Sequence, residues 1–117
     1  MMRGERDEIP PGTLEMLILT TLATGPPRHG FEIAESILSV SEDVLQVEEG
    51  SLYPALQRML LKGWIQGDWG KTDENRRARF YRLTREGRKQ LQAETRDWEQ
   101  TAAIIARFFS VKAEDLK

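Results

Sequence analysis

Residues that could build a catalytic site are scarce in this chain. His29 is the single histidine, there is no cysteine, and no glycine-rich phosphate loop is present. Because His29 stands in a turn just before a predicted helix, a capping or core role is favoured over catalysis. The remaining carboxylates of interest are explained by a solvated acidic face: Glu32, Glu35, Glu48 and Glu49. The sequence therefore argues against an enzyme and predicts neither a cofactor nor a metal site.

Charge is distributed unevenly along the chain. Residues 58–89 hold ten basic and four acidic side chains, a balance of +6, so that the rest sums to −8 in a protein of net charge −2. One basic segment in an acidic protein predicts a single positive face that attracts a polyanion. An ordinary solvated surface with i,i+4 ion pairs is the alternative explanation of the charge.

Polar side chains near the start of a predicted third helix are candidates for DNA contact. The hydroxyls of Ser51 and Tyr53 can reach phosphates or base edges, and Pro54 offers apolar contact to a thymine methyl. Tyr53 is equally well explained as a half-buried core residue. Further along the helix lie three more candidates, of which the last suits a phosphate: Gln57, Arg58 and Lys62.

A second group of candidates lies in a basic hairpin after that helix. Lys71, Arg76 and Arg77 are the side chains expected to contact the DNA backbone or the minor groove. The strands are predicted over about 64–69 and 79–83, with Tyr81 and Leu83 on one side and Arg82 on the other. A helix followed by a basic hairpin is typical of a winged helix-turn-helix.

The elements that must position these side chains follow from periodicity and turn signals. We predict helices over about 14–24 (capped by Thr13), 30–40 and 48–62, with residues 41–47 as the turn and Gly63 ending the third helix. Apolar spacing predicts a core face in the second helix: Phe31, Ala34, Ile37 and Leu38. Residues 1–11 are expected to form a flexible arm and residues 12–83 the DNA-binding domain.

The final helix, predicted over 84–109 with Thr84 as its cap, carries an apolar seam. Its members are spaced 4, 3, 4, 3 and 4 residues apart, with one threonine among them: Leu91, Thr95, Trp98, Ala102, Ile105 and Phe109. Such a seam predicts dimerisation, because a small body cannot cover a rod of about 37 Å. Folding back on its own domain is the alternative, and residues 110–117 are expected to be a tail.

Composition places the chain among small cytoplasmic proteins. It has 117 residues, of which 31% are charged, and its mean hydropathy is −0.53. No apolar run reaches the ~20 residues of a membrane span, and no signal peptide is evident. We expect a mainly α (α+β) fold in a single domain.

Several segments together resemble the PadR family of bacterial transcriptional regulators. They are residues 50–56, 63–65 and 79–87, supported by Thr13-Leu14 and residues 29–33. The resemblance covers about residues 12–109 and implies a homodimeric winged helix-turn-helix repressor of the small subfamily, with one C-terminal dimerisation helix and a near-palindromic operator.

A narrower similarity concerns Asp68-Trp69-Gly70 and Trp98, which are similar to those of the multidrug-sensing members. That similarity implies an effector site in which Trp98 from each subunit stacks on a flat aromatic or hydrophobic compound. Plain packing of the dimer core explains Trp98 equally well. A different class of function, a winged-helix module for protein–protein assembly without sequence-specific DNA binding, also fits the basic face.

Overall fold

The fold consists of four helices and a small antiparallel sheet. The computed structural model describes residue 9 and residues 11–116. In chain order its elements are α1 (Pro11–Leu22), β1 (Arg28–His29), α2 (Gly30–Val40), α3 (Glu49–Leu61), β2 (Ile65–Lys71), β3 (Arg77–Leu83) and α4 (Arg85–Asp115). The predicted mainly α (α+β) winged helix-turn-helix with a long C-terminal helix is confirmed.

The core lies where α1, α2 and α3 meet the inner face of the sheet. Its most deeply buried large side chains are Ile18, Leu19, Ile33, Leu52, Leu56 and Met59. Tyr81 and Leu83 of β3 close it from the sheet, as the predicted alternation required, while Arg82 faces outward. Burial of these side chains is the main force that holds the three helices against the sheet.

One predicted core position is wrong. Phe31 is 65% exposed, and Ile33 occupies the interior instead. Because α2 begins at Gly30, Phe31 lies in its first turn, where its ring stacks on His29 with 6.5 Å between the ring centroids. Apolar spacing alone cannot place the first turn of a helix, since the cap sets its direction.

The start of the first helix also differs from the prediction. α1 begins at Pro11, so Thr13 lies inside the helix instead of capping it, and the helix ends at Leu22 before Gly25 adopts a φ of 81°. Proline suits the first helical position because its missing N–H would have no intrahelical partner there. Residues 1–8 and 10 of the predicted arm lie outside the described residues, whereas Ile9 is half-buried against the core.

A two-residue strand that the sequence did not predict adds a third member to the sheet. Arg28 and His29 pair antiparallel with β3, giving the order β1-β3-β2. His29 then caps α2: its Nδ1 accepts from the N–H of Glu32, and the Glu32 carboxylate accepts from the N–H of His29. The predicted capping role of His29 is confirmed.

The hairpin is longer than predicted, because β2 extends to Lys71 and β3 begins at Arg77. Thr72 orders the turn between them, since its hydroxyl oxygen accepts from the N–H groups of Glu74 and Arg76. Asn75 adopts a φ of 64° in that turn, a conformation that asparagine tolerates. Lys71 and Arg77 therefore face each other at the end of the ladder.

A compact set of hydrogen bonds joins the end of α3 to the start of α4, and we call Gly63, Trp64, Thr84 and Gly87 the α3–α4 joint. Gly63 takes a φ of 78° just past the C-cap, as predicted. The Thr84 hydroxyl donates to the Gly63 carbonyl (2.5 Å) and accepts from the N–H of Gly87 (3.0 Å), while the N–H of Thr84 donates to the Trp64 carbonyl (3.0 Å). The two helices are thereby fixed relative to each other.

The final helix is longer than predicted. α4 spans 31 residues, through the segment expected to be a tail, and is about 46 Å long. The residues from Ser110 onward include good helix formers and no early breaker, so the helix continues. Among the described residues, no helix is long and apolar enough to cross a membrane.

Candidate nucleic-acid interface

The outer face of α3 is free of other elements. Ser51, Pro54 and Gln57 are exposed there, opposite the buried stripe of the helix. Pro54 is tolerated because α3 begins only five residues earlier, at Glu49. A side chain added at Gly50 would meet no atom within 4 Å. The helix thus presents small and polar side chains on a surface to which a ligand can approach closely.

Tyr53 stands at the edge of this face. It is 46% exposed, and its hydroxyl would lie 2.6 Å from a Cβ added at Gly30. The absence of a side chain at Gly30 therefore lets the tyrosine pack its tip against the first turn of α2. Tyr53 has one side against the protein and the other open to solvent, an arrangement compatible with both roles considered for it.

Arg58 and Lys62 occupy the opposite edge of α3 and share a partner. Arg58 Nε lies 2.8 Å from Glu15 Oε2, and Lys62 Nζ lies 3.3 Å from Glu15 Oε1. Glu15, on α1, is buried. Sequence reasoning missed this residue, since a glutamate in the first helix has no local feature that distinguishes it. Both cations are anchored within the protein, although each side chain remains about half exposed.

The hairpin, or wing, carries the other predicted DNA contacts. Lys71, Arg76 and Arg77 are all exposed at its outer end. The Arg77 guanidinium lies 4.1 Å from the centroid of the Trp69 ring, a cation–π contact that restrains the arginine side chain. Trp69 itself is largely exposed. The cluster is a cationic surface with an aromatic base.

The two faces of the wing differ in charge compensation. On the outer face Arg82 pairs with Asp68, at 3.6 Å. On the inner face Arg79 lies beside Tyr81. Burial raises the pKa of Tyr81 above its ordinary value, the charge of Arg79 lowers it, and Tyr53 raises it. Sequence reasoning assigned no function to Arg79.

The predicted dimer and effector residues lie on α4. Leu91 is half-buried against the core of its own domain, so the first position of the seam is already partly covered. Beyond it the helix leaves the body, and Trp98, Ala102, Ile105 and Phe109 are exposed. Trp98 exposes 62% of its surface. A helix with this much exposed apolar surface is typical of an interface.

Taken together, the geometry provides a binding surface. Within residues 9 and 11–116, no group of three or more acidic, histidine or cysteine side chains could hold a metal ion. α3 packs against β2, the first strand of the wing, and three basic side chains are exposed at the wing end. This arrangement can bind a polyanion through the basic side chains of the wing and contact groups on its surface through the exposed side chains of α3.

Comparison with known proteins agrees with this geometry. The model of the transcriptional regulator PadR-like family matches residues 18–93. The chain belongs to the PadR-like family. A solved transcriptional regulator from Clostridium thermocellum is similar, with 30% identity, a TM-score of 0.73, and coverage of 83% of this chain and 93% of that one. For a PadR family regulator from Clostridium difficile the corresponding values are 28%, 0.70, 82% and 97%. PadR-like proteins are DNA-binding transcriptional regulators and not enzymes.

Proposed function

We propose that this PadR-like protein is a cytoplasmic homodimeric repressor that binds a near-palindromic operator. The observation that carries the proposal is the adjacency of the open α3 face and the cationic wing. In this arrangement α3 enters the major groove, where Ser51, Pro54 and Gln57 meet base edges. Lys71, Arg76 and Arg77 contact the flanking backbone, which fixes the position of the helix.

Arg58, Lys62 and Tyr53 have a supporting part in this proposal. Because Glu15 holds the two cations at one edge of α3, they are arranged for phosphates that border the groove. Their half exposure leaves donors available, and their pairing reduces the entropy lost on contact. Tyr53 offers its hydroxyl from the other edge, so that polar groups flank the apolar surface of Pro54.

Dimerisation follows from the exposed part of α4. Trp98, Ala102, Ile105 and Phe109 repeat at heptad spacing on a helix that stands away from its own domain. Pairing with the same helix of a second subunit would bury this seam. Two subunits related by a two-fold axis would present two α3 helices, which matches the symmetry of a near-palindromic site.

An effector site at Trp98 completes the proposal. Two copies of Trp98 near a dimer axis would form facing aromatic walls, and a flat aromatic or hydrophobic compound could stack between them. Such a ligand releases the repressor if it binds more tightly to a dimer whose α3 helices are wrongly spaced for the operator. Phe108 and Phe109 limit the volume available to this ligand, because they lie on the same exposed half of the helix.

The alternative is a winged-helix module that binds an acidic protein. One experiment separates the two: genomic fragments captured by the purified protein are sequenced, and the enriched site is tested as a duplex at several salt concentrations. A repressor enriches one inverted repeat and prefers it over bulk DNA, with affinity that falls as salt rises. Capture without an enriched sequence would favour the protein-binding module.

A further inference from the structure

Arg79 is a cation with no ion-pair partner among the described residues. It stands on the inner face of β3 and is half-buried. Its Nε is inaccessible to solvent and has no hydrogen-bond partner within the described part of the chain, and no carboxylate there forms an ion pair with it. Folded proteins normally pair a charge that they withdraw from water, because an unpaired charge opposes folding. The arrangement requires an explanation.

Gly67 holds the Arg79 side chain in place. A Cβ added at Gly67 would lie 2.5 Å from Arg79 Nε and 3.2 Å from its Cγ and Cδ. The Arg79 side chain therefore lies flat across the backbone of β2 at Gly67. Gly67 is two residues before Trp69, the cross-strand partner of Arg79. A glycine is needed here for space and not for its backbone freedom. The chain thus restrains a long side chain that an exposed wing would otherwise leave free.

The residues around the Arg79 side chain lie on the side of the wing that faces α3. Tyr81 and Trp69 share its face of the sheet, and α3 packs against β2, the strand that the Arg79 side chain crosses. On the same face Arg77 lies over Trp69. Two arginines, restrained by an aromatic ring and by a glycine, therefore line the side of the wing that faces α3.

We propose that Arg79 is a preorganised ligand for a DNA phosphate, held against β2 by Gly67 and without an ion-pair partner among the described residues until DNA supplies the anion. The inference rests on the proposed DNA binding and adds to it a contact at the base of the wing, between α3 and the wing end. A restrained guanidinium with free donors is suited to a phosphate, since little side-chain entropy remains to be lost. Its positive charge is compensated only in the complex.

The test uses the full-length protein and a fluorescent duplex of random sequence of about 30 base pairs, titrated at several salt concentrations. Arg79→Gln should weaken binding and lower the log–log salt slope by about 0.9, the value of one lost phosphate contact. Arg82→Gln is the matched control, because it removes one charge three residues away on the outer face, where Asp68 already pairs it. Arg82→Gln should leave the slope unchanged.

A second variant tests the cradle without changing charge. Gly67→Ala displaces Arg79 from the backbone of β2 and should weaken binding in the direction of Arg79→Gln. Gly12→Ala, at a position where a Cβ meets no atom within 4 Å, is its control. Equal effects of Arg79→Gln and Arg82→Gln would reduce the effect to net charge and overturn the proposal.

Folding measurements separate this role from a structural one. Without DNA, Arg79→Gln should melt at the same temperature as the parent protein or higher, because a half-buried charge has been removed. Addition of DNA should raise the melting temperature of the variant by less than that of the parent protein. A variant that melts lower without DNA, or fails to fold, would show that Arg79 supports the fold, and would overturn the proposal. If the parent protein itself shows no salt-dependent binding to duplex DNA, the proposed function fails as well, an outcome distinct from loss of the Arg79 effect alone.

Discussion

Arg58 Nε lies 2.8 Å from a carboxylate oxygen of Glu15, so a charge on α3 is bound to a buried charge on α1. Lys62, one turn further along α3, approaches the other oxygen of the same carboxylate. Glu15 thus holds α3 against the first helix at two points along its length. The angle of α3 to the rest of the domain depends on this anchor. That angle matters because α3 is the helix proposed to enter the major groove.

We expect Glu15→Gln to lower the free energy of unfolding by about 1.5–3 kcal/mol, the range for hydrogen bonds to charged groups. The two cations can regain water, because their side chains are about half exposed. Arg58→Met should cost more, since it leaves a buried carboxylate with Lys62 as its remaining partner. Urea denaturation measures both. Glu35→Gln, at an exposed carboxylate of α2, is the control and should change little; equal losses at Glu15 and Glu35 would contradict this account.

The seam of α4 can be disrupted by charge. Ile105→Glu combined with Phe109→Glu places two carboxylates where apolar surfaces should meet, and the dimer should dissociate into monomers at micromolar concentration. Sedimentation velocity measures the change. The control is Ala103→Glu combined with Ser110→Glu, which adds the same charge on another face of the helix. A stable dimer of the first variant would refute the seam.

Neutralising the end of the wing should weaken binding to all DNA sequences alike. Arg76→Gln combined with Arg77→Gln should lower the log–log salt slope by about 0.9 for each phosphate contact that is lost. Changes at Ser51 or Gln57 should instead alter which sequences are preferred, with little effect on the slope. Fluorescence anisotropy with specific and random duplexes measures both quantities. If the arginine variant retains the parent affinity and slope, the wing does not contact DNA.

Flat aromatic compounds should quench the tryptophan fluorescence of the dimer if Trp98 lines an effector site. Stacking contributes about 1 kcal/mol for each ring pair beyond the burial of area. Trp98→Ala should abolish quenching while leaving a folded dimer. Trp64→Phe and Trp69→Phe are the controls, because the chain has three tryptophans and these two belong to the wing region. A Trp98→Ala dimer that binds the compounds equally well would make this residue core packing alone.

Alkaline pH should destabilise the protein through Tyr81. Burial raises the pKa of its phenol in the folded state, so this state keeps the proton that the unfolded chain releases above about pH 10. Stability is therefore unaffected below that pH and falls as pH rises through the folded pKa. Tyr81→Phe should flatten this fall. Urea unfolding from about pH 8 to 11 measures it, and parallel profiles for the two proteins would exclude Tyr81 as the cause.

The sequence predicted those elements whose local signals agree with their packing. Residues 30–40 form a helix because a cap, an apolar period and a polar turn coincide there, and Gly63 marks the end of α3 for the same reason. The strand at Arg28-His29 could not be predicted, because two residues carry no period and depend on the edge of β3. The exposed position of Phe31 likewise follows from the cap at His29.

Candidate binding residues could be predicted only as far as residue type allows. A run of arginines indicates a cationic wing, but only tertiary contacts distinguish Arg82, which pairs with Asp68, from Arg79, which lies across Gly67 with no ion-pair partner among the described residues. The same holds for Arg58 and Lys62, whose partner is more than forty residues away. Pairing of charges across a fold is a property of three dimensions, so a one-dimensional pattern does not encode it.

The hydrogen bonds of the α3–α4 joint couple the orientation of the long helix α4 to that of α3. Phe109 lies 24 residues beyond Arg85, about 36 Å along a helix whose base is hydrogen-bonded to the end of α3. If α4 turns as a rigid rod, a displacement of about 1 Å at Phe109 corresponds to less than about 2° at the joint, from the same helical rise. Because α4 is long, a large change in side-chain packing near Phe109 would therefore change the orientation of α3 by only a small angle.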